Sequence, residues 1–310
     1  MQRVSRASWE RVGRIGAVAG AAFALLAAAA AEATFPGRNG LIAFEYKAQI
    51  ASMRSDGTRV KTLTDEPDQV SQRPDWSPNG RRIALLSPTG PALMAADGSN
   101  RHTVPVAALP PFAGDKLSFS PDGRHLAYTR NSRPDGLSTR TEIWRTRIDG
   151  ARDRRLGSGR GPEWSPDGRT IAYIRSDPLG DDAPIALMSA RTGKLIRRLD
   201  ARASWLDWSP DGRLLLYSGR GRFGKLDLFV ISADGRGSPR RLTRSGFRSE
   251  ARGVWSPDGR KIAFVSAPGF EDESVGPGSI WTMRSDGTHK KRLHREPEVV
   301  SDVSWQPRAR

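Results

Sequence analysis

Trp208-Ser-Pro-Asp-Gly-Arg213 is one of five near-identical phrases in this chain, and it decides the fold. The others are Trp76-Ser-Pro-Asn-Gly-Arg81, Phe119-Ser-Pro-Asp-Gly-Arg124, Trp164-Ser-Pro-Asp-Gly-Arg169 and Trp255-Ser-Pro-Asp-Gly-Arg260. A decayed sixth copy reads Trp305-Gln306-Pro307-Arg308. The leading aromatics are 43, 45, 44, 47 and 50 residues apart. A period of that length marks a stack or ring of small structural units.

The chemistry of the phrase names the unit. Pro fixes φ at the second position of a type I turn, and Gly is favoured at the fourth. An aromatic precedes each turn. A β-branched or aromatic run follows it: Ile83-Ala-Leu85, Leu126-Ala-Tyr128, Ile171-Ala-Tyr173, Leu215-Leu-Tyr217 and Ile262-Ala-Phe264. Two antiparallel strands joined by the turn are the expected result. A second phrase ends most units, as in Met53-Arg-Ser-Asp-Gly57, Met94-Ala-Ala-Asp-Gly98, Ile231-Ser-Ala-Asp-Gly235 and Met283-Arg-Ser-Asp-Gly287. Asp-Gly turns tolerate positive φ and read as a second hairpin. Each unit is therefore four short strands, a propeller blade.

The phase predicts closure. The run Ile42-Ala-Phe44 stands at the amino-terminal end with no Trp phrase before it, whereas Trp305 has no second strand after it. The expected fold is all-β: a six-bladed β-propeller whose ring is closed when the carboxy-terminal strand joins the amino-terminal blade. Closure leaves no open sheet edge.

These residues resemble the WD40-like repeats of the TolB propeller family, and the resemblance runs from Phe35 to Arg310. It implies an extracytoplasmic propeller that binds other proteins. The family's founding member carries an α/β domain ahead of its propeller. Here the propeller is expected directly after the leader, so contacts made through that domain do not carry over.

Outward from the repeat, residues 1–33 read as a secretory signal. Arg3, Arg6, Arg11 and Arg14 precede an apolar run from Ala17 to Ala31, and Ala31-Glu32-Ala33 places small residues where a signal peptidase reads. Cleavage is expected after Ala33, giving a mature domain of 34–310 at the periplasm or cell envelope. The apolar run is shorter than the ~20 residues that span a bilayer, so no membrane span is expected after cleavage. Retention of the leader as an anchor is the alternative.

The chain carries a formal charge of +16. Of its basic residues 42 are Arg and 8 are Lys, spread over every segment, a dispersal that argues against a nucleic-acid partner. The chain has no cysteine, which excludes disulfides and thiolate metal sites. A monomer is expected.

Two regions are candidates for function. Joins between strands two and three, and between blades, fall on one face and carry the variable lengths: Thr129–Glu142, Ser176–Pro184, Ser218–Lys225, Ser266–Ser279 and Thr64–Pro74. Recognition commonly uses loops on a rigid frame. There Asp181 and Asp182, Glu271, Asp272 and Glu273, and Arg220, Arg222 and Phe223 offer acidic tips and a basic-aromatic patch for a protein partner, or are solvated loop residues. The second region is the channel. Asp75, Glu163 and Asp207 each precede a strand-one aromatic and face either a cation, a basic peptide or the Arg of neighbouring blades. Trp76, Phe119, Trp164, Trp208, Trp255 and Trp305 are expected to pack blades together.

Catalysis is not the expected function, and no cofactor or metal is expected. Peptidases that use such propellers need a Gly-x-Ser-x-Gly elbow, which this sequence does not contain. A metal-dependent lyase or lactonase built in the channel is the alternative. It would draw His onto the inner strands, yet His102, His125, His289 and His294 all fall elsewhere. The expected function is a non-catalytic, exported, protein-binding scaffold.

Overall fold

A computed structural model describes residues 36–65, 70–106, 116–132, 140–176, 183–268, 278–293 and 300–308. The expected leader, the acidic tips Asp181, Asp182, Glu271, Asp272 and Glu273, and His294 lie outside these residues. The described residues form six four-stranded antiparallel sheets in a ring, a six-bladed β-propeller. Blades two to six open on inner strands Gln72–Trp76, Leu117–Phe119, Arg160–Trp164, Trp205–Trp208 and Arg248–Trp255. The first blade is composite. Its inner strand Val300–Arg308 pairs with Arg38–Tyr46, in the register Ile42↔Trp305 and Phe44↔Val303.

Each Ser-Pro-Asp-Gly phrase closes a turn in which the Gly nitrogen donates to the Ser carbonyl, as from Gly212 to Ser209 at 2.8 Å. The Gly adopts positive φ, between 64° and 70° in the five copies. The structure gives the Ser and Asp work that composition alone did not disclose. Ser209 Oγ donates to Asp211 Oδ1 at 2.6 Å and accepts from Leu214 N at 2.9 Å, while Asp211 Oδ1 accepts from Arg213 N at 3.1 Å. The Ser and Asp side chains thus close a local hydrogen-bond loop over the turn.

The cores lie between blades. Trp208 packs with Leu206, Leu215 and Tyr217 of its own blade and with Ala172, Ile174 and Leu187 of the blade before. Trp164, Phe119, Trp255 and Trp76 do the same at four other seams. Trp305 joins Ile42, Phe44 and Met53 to Val254, Ala263 and Ile280 where the first and sixth blades meet. A four-stranded sheet alone leaves both apolar faces wet. Wedging an aromatic into each seam removes them from water.

The decayed sixth phrase has its own logic. Gln306 replaces the turn Ser; its Oε1 accepts from Leu41 N at 2.9 Å and its Nε2 donates to Gly80 O at 2.7 Å, stapling the first blade to the second. The closure seam also has Asn39 donating to Asp258 at 3.1 Å.

The Asp-Gly turns do more than reverse the chain. A Cβ on Gly98 would stand 2.3 Å from Leu63 O in the preceding blade, one on Gly193 2.1 Å from Leu156 O, and one on Gly57 2.4 Å from Leu293 O across the closure. The turn rests on its neighbour's outer strand, a requirement added to positive φ. Gly98→Ala is expected to cost about 2–3 kcal/mol, whereas Gly237→Ala, also at positive φ but facing open space, should cost only the backbone strain of about 1 kcal/mol. Equal urea midpoints for the two variants would refute the contact.

Two expected loops are shorter than their sequence suggests. The strand from His125 runs on to Ser132 and pairs Ser132 with Arg140, absorbing both ends of the join expected over Thr129–Glu142. The strand from Lys261 likewise runs to Pro268. Ladder pairing continued where residue type alone suggested a stop.

Candidate functional site

Inner strands bring two rings of side chains to the channel. The first ring is the one expected from sequence: Asp75, Ser118, Glu163, Asp207, Val254 and Ser304, each one residue before the blade aromatic. Most of it bonds from blade to blade. Ser304 Oγ accepts from Trp76 N at 3.2 Å, Asp75 Oδ2 from Phe119 N at 2.8 Å, Ser118 Oγ from Trp164 N at 3.1 Å, and Asp207 Oδ2 from Trp255 N at 2.6 Å. At the fourth blade the backbone substitutes, with Trp208 Nε1 donating to Glu163 O at 3.1 Å.

The second ring lies three residues before each aromatic and went unrecognised in the sequence. It comprises Arg73, Lys116, Gly161, Trp205, Arg252 and Asp302. Strand alternation puts positions one and three residues back on the same side. In three blades a register shift lies between them, and Arg73, Gly161 and Arg252 take φ of 58°, 58° and 54° there. For the two arginines this is strained backbone, and it coincides with the register shift in each case.

The rings compensate each other's charge. Lys116 pairs with Glu163, donates to Leu206 O at 2.5 Å, and lies 4.3 Å from the centre of the Trp205 ring. Asp302, almost wholly buried, accepts from Arg73 at 2.7 Å and Arg252 at 2.6 Å. Arg252 also lies 5.2 Å from the Trp205 ring centre. The partners expected for the channel carboxylates were a cation, a basic peptide or Arg of neighbouring blades. The structure instead places a Lys beside Glu163 and backbone N–H groups on Asp75 and Asp207.

Burial makes these carboxylates hard to ionise. Burial and then the charge of Glu163 push Asp75 up to about 7, and the same two causes raise Asp207 well above the usual range. Burial raises Glu163, opposed by Lys116. Burial would lower Lys116, but Glu163, Asp207 and Asp75 outweigh it and hold its ammonium charged. Nearer the loop face, burial and Asp302 push Glu45 up to about 7.

A cavity of about 50 Å³ lies in the channel, bounded by Asp75, Lys116, Glu163 and Asp207 among others. That volume holds a few waters and no sugar or peptide. Among the described residues, no three His, Cys, Asp or Glu side chains gather as metal ligands. His102 sits on an outer strand, His125 opens a second strand, and His289 follows an Asp-Gly turn.

On the loop face, the fifth blade is described in full. Arg220 ends a strand and is exposed; of Arg222 only the backbone is described. Phe223 is 62% exposed, and the structure brings to it a residue the sequence reading passed over, Phe247, 81% exposed. Their rings stack with centroids 5.9 Å apart and 9° between planes. A signal was available: a lone Phe in the polar run Arg244-Ser245-Gly246-Phe247-Arg248-Ser249 has no alternating apolar neighbours to bury it with.

Comparison with known proteins places the fold. No protein-family model matches the chain. The uncharacterized peptidase YuxL of Bacillus subtilis is 36% identical over 195 residues, covering 60% of this chain and 28% of that protein. A TolB homolog of Chlorobium chlorochromatii is 29% identical over 165 residues, covering 50% and 35%. The match thus spans about a third of either relative. Among solved structures, TolB from Acinetobacter baumannii superposes with a TM-score of 0.68 at 20% identity, covering 87% of this chain and 67% of that one. A putative TolB from Agrobacterium tumefaciens gives 0.66 at 21%, covering 87% and 99%. An oligogalacturonate lyase in complex with manganese gives 0.54 at 13%, covering 80% and 70%.

Proposed function

Starting from a TolB-like six-bladed ring, we propose that this chain is exported after loss of residues 1–33 and serves as a non-catalytic, protein-binding scaffold at the cell envelope. One observation carries the reading: the channel chemistry is spent inside the ring. Asp75 and Asp207 hold neighbouring blades, Lys116 answers Glu163, and the cavity among them is about 50 Å³. Recognition then belongs to the loop face. Its contacts are assigned to Arg220, Arg222 and Phe223 on the fifth blade, Asp181 and Asp182 on the fourth, and Glu271, Asp272 and Glu273 on the sixth. The TolB relatives support the extracytoplasmic setting. Among the described residues no helix is long and apolar enough to cross a membrane.

The test is crosslinking capture from a cell-envelope extract, using the chain as it stands and with the loop around Glu271–Glu273 or Asp181–Asp182 trimmed. Trimming is expected to abolish at least one captured protein. Undiminished capture by both trimmed forms would remove the assignment. A second reading, a metal-dependent lyase or lactonase-like enzyme with its site in the channel, draws on the facing carboxylates and on the manganese-bound lyase. It requires millimolar Ca²⁺ or Mn²⁺ to raise the melting temperature, which the scaffold does not.

A further inference from the structure

Two loops meet at one corner of the fifth blade. Residues 219–226 and 242–249 hold five basic residues, Arg220, Arg222, Lys225, Arg244 and Arg248, and no acid. The carboxylates that flank these segments in sequence are engaged: Asp227 is buried against Arg241 at 2.5 Å, and Glu250 is buried against Lys290 at 2.7 Å. The two segments themselves therefore carry positive charge only. At the tip of the corner stand the stacked rings of Phe223 and Phe247, the two most exposed large apolar side chains among the described residues.

The tip is convex. A Cβ on Gly224 or on Gly246, each next to one of the rings, would meet no atom within 4 Å. Phe223 itself is held at φ 60°, a conformation that an aromatic residue adopts only under constraint. Both rings are exposed to water, and basic residues flank them in sequence. They have what an interfacial anchor needs, apolar rings that enter the headgroup layer and cations that meet its phosphates.

We infer that the Phe223–Phe247 tip seats the ring against the anionic surface of a lipid bilayer. This rests on the loop face being the recognition face of an envelope protein, and it narrows what the fifth-blade part of that face meets. The ring is then held with its loop face toward the lipid, and the long loops of the fourth and sixth blades contact partners beside the membrane.

The absence of cysteine supplies the experiment. A single Gly246→Cys variant of the full chain carries an environment-sensitive fluorophore, with Gly237→Cys, on the opposite face, as the control. Vesicles of 30% phosphatidylglycerol in phosphatidylcholine are expected to raise the emission at 246 about threefold and leave 237 unchanged. Pure phosphatidylcholine should raise neither. Adding Phe223→Ser and Phe247→Ser should abolish the response at an unaltered melting temperature. An equal rise at both positions, which tethering by residues 17–31 alone would give, overturns the inference. So does an equal response to neutral vesicles, or a response to polyglutamate with none to lipid, which reassigns the tip to an acidic protein segment. Any of these with loop-dependent capture intact leaves the scaffold reading standing. Lost capture with an intact lipid response does the reverse.

Discussion

Trp208→Ala is expected to lower the unfolding free energy by about 3–5 kcal/mol, the range for emptying a buried aromatic site. The indole is 3% exposed and touches apolar side chains of two blades, so its loss opens a seam and not merely a sheet. Its hydrogen bond to Glu163 O goes with it. Urea unfolding reads the change directly. Trp208→Phe copies the residue that the third blade uses at this place and should lose less than half as much. A midpoint unmoved by the alanine would contradict the wedge assignment for all six blades.

Lys116→Met should cost a similar amount, about 3–5 kcal/mol at neutral pH, because it removes the cation from among Glu163, Asp207 and Asp75. The loss is expected to depend on pH in a definite direction. In the folded ring Asp75 titrates near 7, against an ordinary value of 3.8. A raised carboxyl pKa gives stability that is complete below the unfolded value and is lost as pH rises through the folded one. Asp207 and Glu163 are shifted the same way. The parent protein should therefore weaken between about pH 4 and 7, and the Met variant should weaken more steeply. Urea midpoints at pH 5 and pH 8 decide it: the deficit of the variant must be larger at pH 8. An equal deficit at both would mean that Lys116 contributes packing and not charge.

The blade number and the closure were legible because each depends on something local and repeated. Pro and Gly in Ser-Pro-Asp-Gly announce a turn wherever they occur, and counting aromatics counts blades. The channel was only half legible. Asp75, Glu163 and Asp207 could be picked out because they adjoin the aromatics. Lys116, Arg73, Arg252 and Asp302 could not, since equivalent positions hold Arg, Lys, Gly, Trp, Arg and Asp, with no shared identity to reveal the ring. They become neighbours only when strands far apart in sequence converge on one axis. Phe247 was missed for a related reason: its partner Phe223 is on a different loop. Asp-Gly turns were read as local chemistry, whereas Gly98 and Gly193 are also fixed by the backbone of the blade before.

The composite first blade sets an order of events. Leu41 and Gln306 are bonded across 265 positions of chain, so a ribosome delivering residues in sequence must release all of those between them before that sheet is complete. Until then Ile42 and Phe44 sit in a strand with one ladder edge unfilled, a template for any stray extended segment. Bringing such distant strands together is also a slow, non-local step. The ring therefore stays unclasped until the strand Val300–Arg308 has been made.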